Sequence, residues 1–455
     1  MAIVTINDEH LVNIAAAIRG KNGTQDTYKP VDMAPAIAAI TGGGGSSEIK
    51  VRTPEEIYAE DRPADWPVLP DPVENNEIYY LCETMWDGTS KYFVFPQCSI
   101  THDIEWGYIN ENGEFVVTRS LANEAGSYWG RYGASKEAET DKYHVVRTTK
   151  GDTTQDAPTS SNKSSDKMPY VLEIKARGSN FKFGTGKNDY YVGFTGCHFI
   201  TLYGPQDWNA DSSKKFTGMS ALKCLRFDSD ENNIFLQPNS KVTSLASLFS
   251  SCYCLGYAYP INNFTKLTTI TSMYYYCRNL KKAVIENETV TTATSVLSEC
   301  HGLFECSIKL PKSTSMSPFS NQCPRIRRFT NLDLSGATST SYVQYLIGYA
   351  CEEVLNAKIN SSLSYSGYSP FFYSGYGTHQ LRRLVMDPTQ VGMPTELKVG
   401  LYAADKEGII EFFESLPTIT TDCVLTICNY AFYNMPIEDV LSIAVEKGYT
   451  VSITK

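Results

Sequence analysis

Cysteine and tyrosine are the residue types of this chain whose abundance first suggests chemistry. Its 455 residues include 13 cysteines and 30 tyrosines. An odd number of cysteines cannot pair completely within one chain, so the count raises metal binding, redox chemistry and disulfide formation as alternatives. The spacing of the cysteines along the sequence separates these alternatives.

Several of the later cysteines recur within one repeated pattern. The motif Leu245-x2-Leu248-x3-Cys252-x2-Leu255 returns around Cys277, Cys300 and Cys323 at offsets of 25, 23 and 23 residues. A looser fifth copy follows around Cys351. A repeat of roughly 20–29 residues, with an apolar strand after each copy, is the signature of a leucine-rich-repeat solenoid. Equivalent positions of stacked repeats then form ladders through one continuous core.

These cysteines are predicted to form a structural ladder rather than a reactive site. Free cysteine is among the most buried residue types, and one thiol per repeat leaves a zinc ion without its convergent ligands. We therefore predict no metal and no cofactor. The ladder comprises Cys252, Cys277, Cys300, Cys323 and Cys351.

Other groupings of reactive side chains predict no catalytic residue. In His102-Asp103-Ile104-Glu105, strand alternation points the first two side chains to opposite faces. Cys423 and Cys428 have no partner pair, so zinc is not expected. No phosphate-binding, metalloprotease or serine-hydrolase motif is present. The chain is predicted not to be an enzyme, with a glycan-degrading activity as the less favoured alternative.

Composition and charge describe a folded protein outside the membrane. Hydrophobic residues make up 42% and charged residues 20%, which excludes collagen-like and wholly disordered chains. The net charge of −10 argues against a large nucleic-acid surface. No secretory signal or membrane-spanning run is recognisable. We expect synthesis in a reducing cytoplasm, where disulfides are disfavoured.

Four regions are predicted along the chain. Residues 1–41 read as a helical hairpin, and residues 42–51 as a Gly/Ser linker. Residues 52–215 combine a short Pro54-initiated helix with brief strands and an Asn112-Gly113 turn, which favours an antiparallel β-sandwich. Residues 216–455 hold the repeats and a C-terminal cap with helices near 406–416 and 437–446. The predicted fold class is therefore mixed α/β.

Tyrosines in the repeat region are candidates for a recognition surface. Tyrosine offers a large, rigid contact area at low entropic cost, although many such residues simply fill cores or oligomer contacts. A Ser/Gly/Tyr-rich insertion after residue 360 breaks the period and is the best single candidate. The predicted binding residues are Tyr365, Tyr368, Tyr373, Tyr376, Tyr274 and Tyr275, and other tyrosines in this region include Tyr253, Tyr257, Tyr259 and Tyr276.

Three stretches resemble known families. The run from Leu303 to Ile326 resembles the irregular leucine-rich repeats of bacterial surface adhesins and phage structural proteins, although several repeats replace the usual leucines. The stretch from Leu11 to Ile40, with Ile18-Arg19-Gly20-Lys21-Asn22-Gly23, is similar to a hairpin recurring in phages of Gram-positive gut bacteria. The segment from Pro54 to Trp66 looks like the opening of a domain in the same proteins.

The resemblance implies a non-enzymatic virion protein, assembled in the bacterial host cytoplasm as a tail, baseplate or capsid fibre. The hairpin would attach to other virion proteins, and the repeats would present a surface to a host glycan or protein. A homo-oligomer is expected, with a trimer favoured. The alternative is a bacterial surface adhesin. The predicted virion-anchoring residues are Leu11, Ile14, Ile18, Met33, Ile37 and Ile40.

Overall fold

The computed structural model describes most of the chain beyond residue 50. Described are residues 50–64, 68–69, 197–205, 208–316, 323–338, 350–364, 371, 380–428 and 438–454, together with strands between 77 and 177. The chain divides into two compact units, residues 1–50 and 51–455. The predicted hairpin and nearly all of the linker lie outside the described residues, as do Leu11, Ile14, Ile18, Met33, Ile37 and Ile40.

A short helix opens the second unit. Helix α1 (Pro54–Asp61) begins with a capping box, in which the Thr53 hydroxyl accepts from the Glu56 N–H and the Glu56 carboxylate accepts from the Thr53 N–H. These two bonds satisfy backbone donors that a helix start leaves unpaired. Ile57 and Tyr58 are buried in a small apolar cluster with Phe199, so the helix covers one face of the adjoining sheet.

Nine strands lie between residues 77 and 227. They are β1 (Glu77–Glu83), β2 (Met85–Trp86), β3 (Lys91–Tyr92), β4 (Thr101–Ile109), β5 (Phe115–Ala125), β6 (Tyr143–Thr148), β7 (Val171–Arg177), β8 (Cys197–Tyr203) and β9 (Cys224–Phe227). β2 and β3 form an antiparallel pair. The other strands form one sheet in the order β5-β4-β6-β7-β1-β8-β9. Within it, β4 pairs with β6 and β8 with β9 in parallel.

The predicted antiparallel sandwich over residues 52–215 is wrong. The described strands form a single sheet of mixed direction instead of two packed antiparallel layers. The antiparallel pairing of β4 with β5 is present, as the Asn112-Gly113 signal indicates. That signal is local, whereas the parallel β8–β9 pair joins distant segments that a turn motif cannot report.

Parallel rungs follow the mixed sheet and form a β-solenoid. Strands β10 (Lys282–Glu286), β11 (Glu305–Lys309), β12 (Arg328–Leu334), β13 (Glu353–Ile359) and β14 (Arg383–Met386) pair in parallel in chain order. Backbone bonds carry the stack upstream: the Lys223 N–H donates to the His198 carbonyl at 2.8 Å, and the Gly256 N–H to the Lys223 carbonyl at 3.0 Å. The solenoid therefore begins at β8 and β9.

A second ladder on each rung distinguishes this fold from leucine-rich repeats. Parallel bridges join Asp211, Ser244, Thr269, Thr292 and Ser315 in turn. No helix occurs within the described stretch 208–316, whereas a leucine-rich repeat sets a helix or 3₁₀ turn against each strand. The predicted leucine-rich-repeat fold is therefore wrong. A 23- to 25-residue period fits both architectures, and the pairing of the second side decides between them.

The C-terminal cap combines two helices with a small parallel sheet. Strands β15 (Glu396–Gly400), β16 (Cys423–Cys428) and β17 (Tyr449–Thr454) alternate with helices α2 (Lys406–Ser415) and α3 (Glu438–Glu446). The predicted helices and strands of this region are confirmed. The three helices of the described residues are short, and none is long and apolar enough to cross a membrane.

One apolar core runs through the described rungs and into the cap. Successive aromatic rings stack within it: Phe249 lies 5.3 Å from Phe216, 5.7 Å from Tyr274 and 5.3 Å from Tyr259 between ring centroids. All four side chains are at most 3% exposed. Because one rung cannot bury its own apolar face, these ring contacts couple each rung to its neighbours.

Candidate functional site

Four of the predicted ladder cysteines stack in one buried column. Each thiol donates to a backbone carbonyl of an earlier rung, which satisfies the weak sulfur donor inside the core. The thiols of Cys252, Cys277, Cys300 and Cys323 donate to the carbonyls of Phe216, Phe249, Tyr274 and Leu297 at 3.0, 3.1, 3.1 and 2.9 Å, respectively.

Cys351 is buried but occupies a different column, which corrects the predicted fifth member. Strand register pairs Arg328 with Glu353 and Phe329 with Val354. Cys351 is therefore the equivalent of Ile326, the last apolar residue of the preceding rung. Its thiol accordingly contacts the carbonyl of Glu353 in its own rung, at 3.4 Å. The intervening rung is longer than the others, so counting residues between cysteines assigns the wrong alignment.

Burial keeps the ladder thiols protonated. Loss of hydration raises the pKa of Cys323 to about 12, and raises those of Cys252, Cys277 and Cys300 as well. Nucleophilic attack and metal binding both need the thiolate, which these pKa values disfavour near neutral pH. Among the described residues, no group of three or more His, Cys, Asp or Glu side chains is arranged to hold a metal ion.

Charged side chains form two rows of alternating sign across the parallel sheet. One row reads Lys282, Glu305, Arg328, Glu353 and Arg383 along the strand register, and the other reads Glu286, Lys309, Asp333, Lys358 and Asp387. The first row is closely paired, with the Lys282 Nζ 2.6 Å from Glu305 and the Arg328 Nε 2.8 Å from Glu353. This face therefore neutralises most of its own charge.

An exposed group of aromatic and basic side chains lies on a turn of the solenoid, and we call it the Tyr–Arg corner. It consists of Tyr253, Tyr275, Tyr276 and Arg278. The Arg278 guanidinium lies 5.0 Å from the centroid of the Tyr253 ring and 5.2 Å from that of Tyr276. The Tyr275 ring meets Tyr276 edge-on at 4.4 Å. Cation–π attraction therefore holds the guanidinium between two rings from neighbouring rungs.

The backbone turns these side chains outward. Tyr276 adopts the left-handed region with φ of 63°, as do Ser251 at 63° and Glu299 at 65° in the adjacent rungs. Residues other than glycine rarely adopt this conformation. Its recurrence at one position of each rung lets Cys277 re-enter the core while Tyr275 and Tyr276 stay partly exposed.

Close rung packing at the corner depends on a glycine. A Cβ atom at Gly302 would lie 2.3 Å from the Arg278 carbonyl oxygen and 3.2 Å from the Lys281 Nζ. Glycine thus allows the rung carrying His301 to approach the corner, and His301 itself contacts Glu299 at 2.8 Å.

The structure separates the predicted binding tyrosines into three groups. Tyr275 belongs to the corner, where partial burial and a hydrogen bond with Tyr276 raise its pKa. Tyr274 is fully buried, and its hydroxyl donates to the Tyr259 carbonyl at 3.0 Å, so it cannot present its ring to a partner. Tyr365, Tyr368, Tyr373 and Tyr376 lie outside the described residues.

Arg278 is the member of the corner that the sequence analysis missed. The three consecutive tyrosines from 274 to 276 mark the turn, but a cation three residues from a tyrosine is common and carries no signal of its own. Its contact with Tyr253 joins positions 25 residues apart, which is one repeat of the solenoid. Applying the repeat to the side chains between the ladder positions would have brought the two together.

Comparison of this chain with protein-family models, with curated proteins and with solved structures finds no match.

Proposed function

We propose that this chain is a structural protein of a bacteriophage particle whose β-solenoid presents a recognition surface to the host cell. The exposed Tyr–Arg corner carries the recognition part of the proposal. The resemblance of residues 11–40 and 54–66 to phage proteins supports the particle part. In this view the N-terminal segment attaches to other virion proteins and the solenoid faces outward, in a homo-oligomer.

The corner has the physical character of a preorganised binding surface. Its rings are carried by rungs joined through main-chain bonds, such as the Ser251 N–H to the Tyr275 carbonyl at 2.7 Å and the Asn279 N–H to the Tyr253 carbonyl at 3.1 Å. A rigid surface loses little conformational entropy when a ligand binds. Tyr253 is nevertheless 40% exposed, so its ring is available for contact.

A saccharide suits the chemistry of the corner. The apolar face of a sugar ring packs against an aromatic ring, while its hydroxyls need donors and acceptors at the edge. Tyrosine hydroxyls supply both, and the guanidinium supplies several donors in one plane. A folded protein surface with exposed backbone amides would meet the same groups, so the ligand class is a host glycan first and a host protein second.

Replacing Tyr253 with alanine is expected to weaken binding to host-wall polysaccharide about tenfold, since truncation of an aromatic anchor costs roughly 1–2 kcal/mol. The variant removes one of the two rings that hold Arg278, without touching the core. Binding would be measured on an array of bacterial wall polysaccharides with the full chain. Leu236→Ala, which alters a side chain of similar exposure (42%) in another turn, should bind normally.

Two results would contradict this assignment. Equal binding by the Tyr253 variant and the unmodified chain would place the recognition surface elsewhere. Release of reducing sugar from the bound polysaccharide would replace pure binding with a glycan-degrading activity.

Deleting residues 1–41 is expected to abolish incorporation of the chain into particles, because the proposed anchoring segment is then missing. Incorporation would be measured by immunoblot of purified particles after complementation of a phage that lacks its own copy. The far-UV circular dichroism of the truncated chain should match that of the unmodified solenoid. A control that deletes only residues 42–45 keeps the hairpin and should incorporate normally, whereas normal incorporation of the first deletion would refute the anchor.

A further inference from the structure

Exposed cations without carboxylate partners surround the Tyr–Arg corner. Arg278 and Lys281 are both exposed on the rung of Cys277, and Arg325 is exposed on the rung of Cys323. Among the described residues, no carboxylate lies within ion-pair distance of any of the three. The nearest acidic candidate along the turn, Glu299, contacts His301 instead, at 2.8 Å.

Main-chain bonds place these cations along one edge of the solenoid. The Phe304 N–H donates to the Lys281 carbonyl at 2.8 Å, and the Arg327 N–H to the Phe304 carbonyl at 2.9 Å. Positions 281, 304 and 327 therefore form a column, and Arg325 lies two residues before its last member. Two rungs separate Lys281 from that member, roughly 10 Å at the usual strand spacing.

The rest of the described solenoid treats its charges differently. On the parallel sheet, Lys282 faces Glu305 and Arg328 faces Glu353, so basic residues there have partners within 3 Å. The net charge of the chain is −10, which makes a local group of unneutralised cations unusual. Positive charge placed beside exposed aromatic rings complements a ligand that is both ringed and negatively charged.

We propose that the Tyr–Arg corner, extended by Lys281 and Arg325, binds an anionic saccharide whose carboxylate or phosphate groups contact the three cations. This inference rests on the proposed function, since it specifies the ligand of the same surface. The tyrosine rings take the sugar, and Arg278 reaches its anionic group while stacked between them. A nucleic acid is the less fitting polyanion, because its dense charge would be repelled by a chain of this net charge.

Matched polysaccharides test the charge of the ligand directly. The full chain would be titrated with polygalacturonate and with its fully methyl-esterified form, which share a backbone and differ in carboxylate charge. Dextran phosphate and unmodified dextran form a second pair, in which phosphate replaces carboxylate. A single-stranded oligothymidylate supplies the nucleic-acid comparison. Each titration would be repeated at low and high salt concentration.

Binding is expected to favour the charged member of at least one pair by about tenfold at low salt, because charge-assisted contacts to arginine are the strong ones. The pair that shows the preference identifies carboxylate or phosphate as the recognised group. In the variant Arg278→Gln/Lys281→Gln/Arg325→Gln, the preference should disappear. The control Lys241→Gln/Lys266→Gln/Lys312→Gln lowers the net charge equally at exposed positions in other turns and should keep it.

The outcomes separate this inference from the proposed function. Equal binding of charged and neutral members, weakened by Tyr253→Ala, would keep glycan recognition and overturn the anionic ligand. Binding of oligothymidylate in preference to every polysaccharide would overturn both in favour of a nucleic-acid partner. Binding of none of the probes would also overturn both. Retention of the preference by the triple corner variant would assign the charge recognition to other residues.

Discussion

Replacing Phe249 with alanine is expected to lower the free energy of unfolding by about 3–5 kcal/mol. The side chain is 0% exposed and contacts the rings of Phe216, Tyr259 and Tyr274, which come from other parts of the rungs. Its removal takes away apolar burial and leaves a cavity that the rigid hydrogen-bonded rungs cannot close. The loss should appear as a lower urea midpoint, followed by far-UV circular dichroism.

Phe304 provides a control of the same residue type on the same solenoid. Its side chain is 40% exposed, so Phe304→Ala is expected to change the free energy of unfolding by less than about 1 kcal/mol. If the two alanine variants unfolded at the same urea concentration, the continuous aromatic core would not be the source of rung-to-rung stability.

Replacing Asn287 with alanine is expected to destabilise the chain by at least about 3 kcal/mol, since each buried polar group left unpaired costs roughly 1–3 kcal/mol. Asn287 is 4% exposed and follows strand β10. Its amide donates to the carbonyls of Ile261 and Phe264 at 2.7 and 2.9 Å, and its carbonyl oxygen accepts from the Thr289 and Val290 N–H groups at 2.8 and 3.1 Å. Alanine leaves all four backbone groups without that partner.

The matched control is Asn279→Ala. The Asn279 amide also donates to a backbone carbonyl of the preceding rung, that of Cys254 at 3.1 Å, but at an exposed position where water can take its place. Its loss should cost under about 1 kcal/mol. Urea denaturation of both variants gives the comparison, and equal destabilisation would mean that the burial of Asn287 has no energetic consequence.

Local sequence patterns predicted much of the chain between the repeats and the C-terminus. The apolar triplets at Leu303, Cys306 and Ile308 and at Leu381, Leu384 and Met386 are buried as their spacing indicates. The capped start of α1 and the elements of the C-terminal cap are also where the sequence predicts them. These features depend on neighbours within a few residues or on one repeat period, so the sequence carries them directly.

Strand register was not predictable in the same way. Inserted residues between the rungs of Cys323 and Cys351 shift the alignment, and only the pairing of Phe329 with Val354 reveals it. The alternating row from Lys282 to Arg383 has the same origin, because its members are separated by unequal stretches of chain. Charges at irregular spacing show no period in sequence, although they are neighbours across the sheet.

The candidate site divides along the same line. Tyr275 was predicted as a binding residue and is partly exposed, while its neighbour Tyr274 was predicted with it and is fully buried. The two differ by one position, and the left-handed turn at Tyr276 decides which side chain faces outward. Arg278 joined the site only through its contact with Tyr253 on the preceding rung.

The sequence by itself determined that this chain stacks 23- to 25-residue repeats around buried thiols, since periodic apolar positions require neighbours to cover them. Only the tertiary structure decided that the repeats form a β-solenoid rather than leucine-rich repeats, and which tyrosines are exposed. Those outcomes depend on hydrogen bonds between rungs and on backbone dihedrals at single turns. Both are set by partners a full repeat away, beyond the reach of a local pattern.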